Sequence, residues 1–193
     1  MGKTRKYNPV KLIIGFIYKD EVVFTKTKDK LRRKFGKIDF QSPALDFNYT
    51  DYYEPEMGSG LKRRFISFRK LVRMQDLYRI KLYTNRLESH GLASDCQSHR
   101  LENRGRKALV CPPIGKANGR LINIDPGYVD LAKLVLASTK DYAHRIYLRK
   151  GIFAEITLSY RGNSFSPNDW TYLDYRSAEY INIFNQIREL YAS

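Results

Sequence analysis

The residues best equipped for chemistry fall in three short stretches of this chain. Residues 140–148 place Lys140, Asp141, His144 and Arg145 beside Tyr142 and Tyr147 in what reads as a β-strand. Residues 50–58 carry Asp51, Tyr52, Tyr53, Glu54 and Glu56 ahead of Gly58, and residues 174–177 read Asp-Tyr-Arg-Ser. An ordinary core strand has no use for so many polar groups, so these stretches imply a site or a buried polar network.

Each group has a chemical reading and a plainer one. His144 is the histidine inside predicted regular structure, which suits it to acid–base work near neutral pH, with Lys140 assisting proton transfer or charge stabilisation. A core histidine bonded to Tyr142 or a backbone carbonyl stays equally open. Asp51, Glu54 and Asp125 are oxygen donors of the kind Mg²⁺ or Mn²⁺ takes, although their spacing matches no metal loop. Alternatively Asp51 caps a turn while Glu54 and Glu56 are solvated. Lys62, Arg63, Lys140 and Arg176 suit a phosphate clamp, and Gly58 and Gly60 allow close backbone approach. Tyr52, Tyr53, Tyr128 and Tyr175 offer stacking faces for a base, or edges of a core with wet hydroxyls. No G-x-S-x-G nucleophile motif occurs. His90, Cys96, His99 and Cys111 lack the short C-x₂₋₄-C clip of zinc modules, so that series reads as loop.

The charge points the same way as the clamp. The chain carries a formal +15, concentrated before residue 38 and again between Lys62 and Arg73, where no acid intervenes. Such a field favours polyanions, nucleic acid first among them. Cationic surfaces also serve solubility, and Arg32, Arg33 and Lys34 suit a helix C-terminus. No apolar run approaches the ~20 residues of a bilayer span, and no signal-peptide pattern is present, so a cytoplasmic, membrane-free protein is expected.

Stepping outward, the elements that must position these groups are legible in outline. At 193 residues, with 42% hydrophobic, the chain suits one α+β domain over 1–193. Residues 10–18 form an apolar run suited to a buried strand, followed by a helix from about Glu21, with Gly36 as its cap. Strands are predicted at 45–49, 64–68 and 120–124, the last closed by a turn at Asp125-Pro126-Gly127, and a second helix at 74–88. That order, β-α-β-β-α-β, is ferredoxin-like, within a mixed, mainly antiparallel sheet. Residues 89–119 read as an exposed loop or insertion. A β-meander follows over 133–138, 142–148 and 152–160, then a C-terminal helix capped by Ser177. A three-residue turn at Arg149-Lys150-Gly151 pairs Leu148 with Ile152, Ile146 with Ala154 and His144 with Ile156 on an apolar face, and sets Arg145 opposite Glu155 on the other.

The motifs Thr50-Asp51-Tyr52-Tyr53 with Glu56-Met57-Gly58, Leu61-Lys62-Arg63-Arg64-Phe65, Ile80-Lys81-Leu82-Tyr83-Thr84-Asn85, Asn123-Ile124-Asp125-Pro126-Gly127-Tyr128, residues 139–148 and Asp174-Tyr175-Arg176-Ser177 occur in one order. In these the chain resembles the uncharacterised prokaryotic family "domain of unknown function 4416" over about three quarters of its length, residues 89–119 being unlike it. The resemblance implies no settled activity. Members are sometimes labelled GTP-binding, yet this chain has no G-x-x-x-x-G-K-[ST] loop and no N-K-x-D reader.

The expectation is a binding protein for a phosphorylated ligand, nucleotide or RNA, with Tyr52, Lys62, Arg63, Tyr128 and Arg176 as ligand contacts. The alternatives are a metal-assisted phosphoryl or nucleotidyl hydrolase or transferase, and an interaction module without ligand. All three demand that distant segments meet in one hollow, or fail to.

Overall fold

The computed structural model describes residue 2, residues 7–90 and residues 120–193. Cys96, His99 and Cys111 lie outside the described residues, as do the side chain of His90 and the predicted insertion from residue 91 to residue 119. Within them the chain is α+β, with a nine-stranded antiparallel sheet and four helices.

Strand β1 (Lys11–Tyr18) is buried at every position, as a strand covered on both faces must be. Its alternation sorts the core. Leu12, Ile14, Phe16 and Tyr18 pack with Phe24 and Leu31 of α1 (Glu21–Phe35) and Ile80 of α3 (Leu77–His90). Ile13, one residue out of phase, joins Phe65, Leu158 and the stripe Tyr180, Ile183, Phe184 and Ile187 of α4 (Ala178–Ala192) on the opposite face. Helix α1 starts where the Asp20 carboxylate accepts from the Val22 amide at 2.7 Å, and α4 where Ser177 accepts from the Tyr180 amide at 3.3 Å.

Several predicted elements come out differently. In place of one strand over 45–49 there are two short ones, β2 (Ile38–Gln41) and β3 (Leu45–Asp46), both on β4 (Lys62–Phe68). Residues 51–57 form a 3₁₀ turn (Asp51–Tyr53) and one α-helical turn, α2 (Glu54–Met57). The three strands predicted over 133–160 are no meander. β6 (Lys133–Ser138) pairs with β8 (Ile152–Arg161), and β7 (Arg145–Arg149) lies outside as the edge. The longer, more apolar strand takes the interior place and the short charged one takes the edge, which limits unwanted pairing. β9 (Ser164–Pro167) adds to β8.

The register of β7 on β8 sets Arg145 opposite Glu155 and Ile146 opposite Ala154, as expected, but a bulge puts Arg149 rather than Leu148 against Ile152. The faces are reversed in burial. Ile146 is 70% exposed, whereas the Arg145 and Glu155 side chains are 3% and 2% exposed. The polar face of this ribbon is the enclosed one.

Strand β5 (Ile122–Val129) runs straight through the predicted Asp125-Pro126-Gly127 turn. It pairs with β1 along its whole length, yet with β6 only over Gly127–Val129. Pro126 has no N–H to offer β6, so the two strands part there. Gly127 sits in the crotch: a Cβ would collide with the Val135 carbonyl and lie 2.7 Å from Leu136 Cδ2. Beyond it, the freed β5 edge takes partners from α3. Lys81 Nζ donates to the Ile124 carbonyl at 2.9 Å, and Glu88 Oε1 accepts from the Ile124 amide at 2.6 Å. Two side chains of a helix thus replace a missing strand.

Candidate ligand site at the strand fork

The splayed strands open a cavity of about 680 Å³. Its floor is Arg63 of β4, Asn123 and Asp125 of β5, and Lys81, Asn85 and Glu88 of α3 reaching through the fork. Ser138, Thr139, Lys140, Tyr142 and Arg145 wall it on the β6–β7 side, with Glu155 of β8 behind them. Tyr49, Thr50, Tyr52 and Tyr53 close another side, and Tyr172, Leu173, Asp174 and Tyr175 a third. The three polar stretches of the sequence therefore border one hollow.

The floor sets two buried cations, Arg63 and Lys81, among the carboxyls of Asp125, Glu88 and Asp174. Arg63 is 1% exposed. Its Nη1 lies 3.4 Å from Asp125 Oδ2, its Nη2 donates to the Tyr175 hydroxyl, and its Nε has no hydrogen-bond partner among the described residues. Lys81 Nζ is 3.6 Å from the other oxygen of Asp125, whose shortest bond comes instead from Asn123 Nδ2 at 2.8 Å. One carboxylate is thus shared by two buried cations, both beyond the ~2.7–2.9 Å of a good charge-assisted bond. Burial works against the Arg63 charge, yet Tyr175, Asp174 and Asp125 together hold it firmly on.

Two carboxyls in the cavity are pushed up from the usual range. For Asp174 the cause is burial, opposed by Arg63 and by the Tyr175 amide. For Glu88 it is again burial, opposed chiefly by Lys81. Both therefore hold a proton more readily than a solvated acid does.

The wall is a tighter network. Arg145 Nη2 and Nε meet Glu155 Oε2 at 2.7 and 2.8 Å, while Nη1 donates to Ser138 Oγ at 2.8 Å and the Lys140 carbonyl at 3.0 Å. His144 Nε2 lies 3.1 Å from the same Glu155 oxygen, and its ring stacks on Trp170 at 5.6 Å. At the mouth, Lys140 Nζ stands 4.6 Å from the centre of the Tyr52 ring and Arg145 Cζ 4.5 Å from that of Tyr142.

Of the residues singled out from sequence, Tyr52, Tyr53, Arg63, Asp125, Lys140, Tyr142, Arg145, Glu155 and Tyr175 line this cavity. Other candidates lie elsewhere. Lys62 points toward Glu21 at 3.6 Å, and Arg176 donates to the carbonyls of Thr171 and Asp169. Tyr128 and His144 border a shallower apolar depression on the opposite face of the sheet, with Ile146, Ile156 and Trp170. His144 shares the apolar face with Ile146 and Ile156 as the register predicts, but its hydrogen bond is to Glu155 and not to Tyr142 or a backbone carbonyl. Asp51 and Glu54 are exposed, and among the described residues no three His, Cys, Asp or Glu side chains gather as a metal set. The proposed donor trio Asp51, Glu54 and Asp125 is therefore not assembled.

Sequence reasoning gave no role to Lys81, Glu88 or Asn123, and marked Asp174 only as part of a polar stretch. A signal existed for the first two. Leu77, Lys81, Thr84 and Glu88 recur at helical spacing, which places a lysine and a glutamate on the buried stripe of α3.

Among the described residues no helix is long and apolar enough to cross a membrane. A family model described as "Domain of unknown function (DUF4416)" matches residues 8–102 and 112–191. The unmatched stretch, residues 103–111, is much shorter than the 89–119 segment expected to depart from the family. No curated protein and no solved structure matches the chain.

Proposed function

The chain belongs to the family Domain of unknown function (DUF4416), membership that carries no activity, and from the cavity we propose that it binds a small phosphorylated ligand. One observation carries this reading: Arg63 and Lys81, both buried, share the single carboxylate of Asp125 at 3.4 and 3.6 Å. Asp174 and Glu88 also act on these cations, yet among the described residues neither cation has an ion pair closer than 3.4 Å, so each keeps donor capacity for a further anion. A phosphate monoester brings close to two negative charges and three acceptor oxygens, which answers Arg63 and Lys81 on the floor, while Lys140 at the mouth adds attraction for the anion. The volume falls in the ~300–1,000 Å³ range of small-molecule pockets. A cavity floor of this kind favours a compact ligand over the length of a nucleic-acid strand. RNA as a partner draws instead on the exposed basic residues of α1, including Lys26, Arg32, Arg33 and Lys34.

A second reading, an enzyme acting on the same class of ligand, draws on Asp174 and Glu88. Burial pushes both carboxyls up from the usual range and both border the same cavity, which places two candidate acid–base groups beside the proposed anion. A metal-assisted version would need donors other than the Asp51, Glu54 and Asp125 trio.

The test is calorimetric titration of the full-length protein with phosphate esters and their dephosphorylated counterparts. Lys140 is exposed, so Lys140→Ala spares the fold. The esters are expected to bind and the alcohols not to, with Lys140→Ala weakening the esters by about 3-fold or more through the lost attraction of a charge at the mouth. Equal binding of ester and alcohol, or an unaltered Lys140→Ala, overturns the reading.

A further inference from the structure

We propose that the cavity takes its ligand phosphate-first and holds an aromatic ring at the mouth, so that the ligand class is a terminal nucleoside phosphate. The inference rests on the phosphate reading above and adds the other half of the molecule. Its ground is the rim. Tyr49, Tyr52, Tyr142 and Tyr172 all border the cavity, and each is more than 40% exposed, as is Leu173. Large apolar side chains left in water around one opening are costly unless something covers them, and this ring of them belongs to one mouth. Two of the rings carry a cation against a face, Lys140 on Tyr52 and Arg145 on Tyr142. Aromatic faces edged by cations are what nucleobases stack on.

Depth fixes the direction. The Arg63 and Lys81 side chains are 1% and 8% exposed, on the floor, whereas the rings surround the opening. Only a group at the end of a molecule reaches such a floor. An internal phosphodiester would have to bring a chain down on both sides of the phosphorus, and it carries one negative charge where a terminal monoester carries nearly two. Stacking also reads the face of a ring and not its edge, so the mouth distinguishes a base from no base more sharply than one base from another. A free mononucleotide and the phosphorylated end of an RNA strand offer the same chemistry here.

Calorimetry on the full chain at about 0.15 M salt separates the outcomes. The ligands are ribose 5-phosphate, AMP, UMP, and a tetraribonucleotide with and without a 5′-phosphate. AMP and UMP are expected to bind about 10-fold or more above ribose 5-phosphate, from the worth of one stacked base. Tyr52→Ala, at an exposed position, is expected to remove most of that advantage while changing ribose 5-phosphate far less. The phosphorylated tetranucleotide is expected to exceed its unphosphorylated form by a similar factor; if it also exceeds AMP, the source is a strand end, and if it falls below AMP, a free nucleotide. Ribose 5-phosphate binding as tightly as AMP overturns the aromatic inference and leaves the phosphate site standing. The unphosphorylated strand binding as well as the phosphorylated one overturns the terminal-phosphate direction. No binding by ribose 5-phosphate, AMP or UMP sinks the phosphate reading itself.

Discussion

Arg145 and Glu155 face each other across β7 and β8, with Nη2 and Oε2 2.7 Å apart and side chains 3% and 2% exposed. This enclosed pair anchors the wall of the cavity, because the same guanidinium also ties down Ser138 and the Lys140 carbonyl. Removing one partner strands the other charge without water. Glu155→Gln is therefore expected to cost about 3–5 kcal/mol, and the pair replaced by two leucines much less. Urea denaturation of both variants measures the difference; equal losses contradict a buried, mutually dependent pair.

The fork has its own weak point. Gly127 lies where any Cβ meets the backbone of β6, so Gly127→Ala must push the strands apart. A loss of about 1–3 kcal/mol is expected, the usual range for overpacking, together with weakened ligand binding as the cavity changes shape. Thermal unfolding and a ligand titration on the same sample check both parts.

Lys81 performs two tasks, one for β5 and one for the cavity. Lys81→Met keeps the apolar stem and removes the bond to the Ile124 carbonyl. The orphaned carbonyl is expected to cost about 1–3 kcal/mol. Phosphate-ester affinity should fall as well, since half of the buried positive pair is gone. Denaturation and calorimetry separate these effects.

Asp174 gives a pH signature. Its carboxyl is raised in the folded state by burial, so the native protein binds that proton more tightly than the unfolded chain does. The stability it contributes is therefore fullest at acid pH, declines as pH rises through the unfolded value of about 3.9, and levels off above the folded one. Asp174→Asn lacks this dependence. The stability of the wild-type protein relative to Asp174→Asn should fall as pH rises above about 4 and flatten once the folded carboxyl has ionised. Urea midpoints across that rise in pH decide; a difference that grows with pH contradicts the assignment.

How far the sequence reveals this molecule depends on the range of the interaction. β1, α1, α3 and α4 follow from periodicity and caps, which are local. The Arg145–Glu155 pairing follows from one turn. The burial of that pair does not, because alternation says which residues share a face and stays silent on which face is covered. The place of β7 at the edge and the fork at Pro126 escape a local reading for the same reason, since both depend on what β6 and β8 find as partners. In the site, Arg63 and Asp125 stand out as charges beside the strands predicted at 64–68 and 120–124, and the structure takes both into the strands. Lys81 and Glu88 hide in a helix whose buried stripe reads as ordinary core until β5 loses a neighbour.

The most direct test of the account is where on the surface a phosphorylated ligand lands. Amide NMR of the isotope-labelled full-length protein, titrated with AMP, reads this residue by residue. The account predicts the largest shifts at Asn123 to Gly127, Ser138 to Arg145 and Tyr172 to Tyr175, with α1 unmoved. Shifts concentrated on the basic face of α1, with those three segments still, would contradict it.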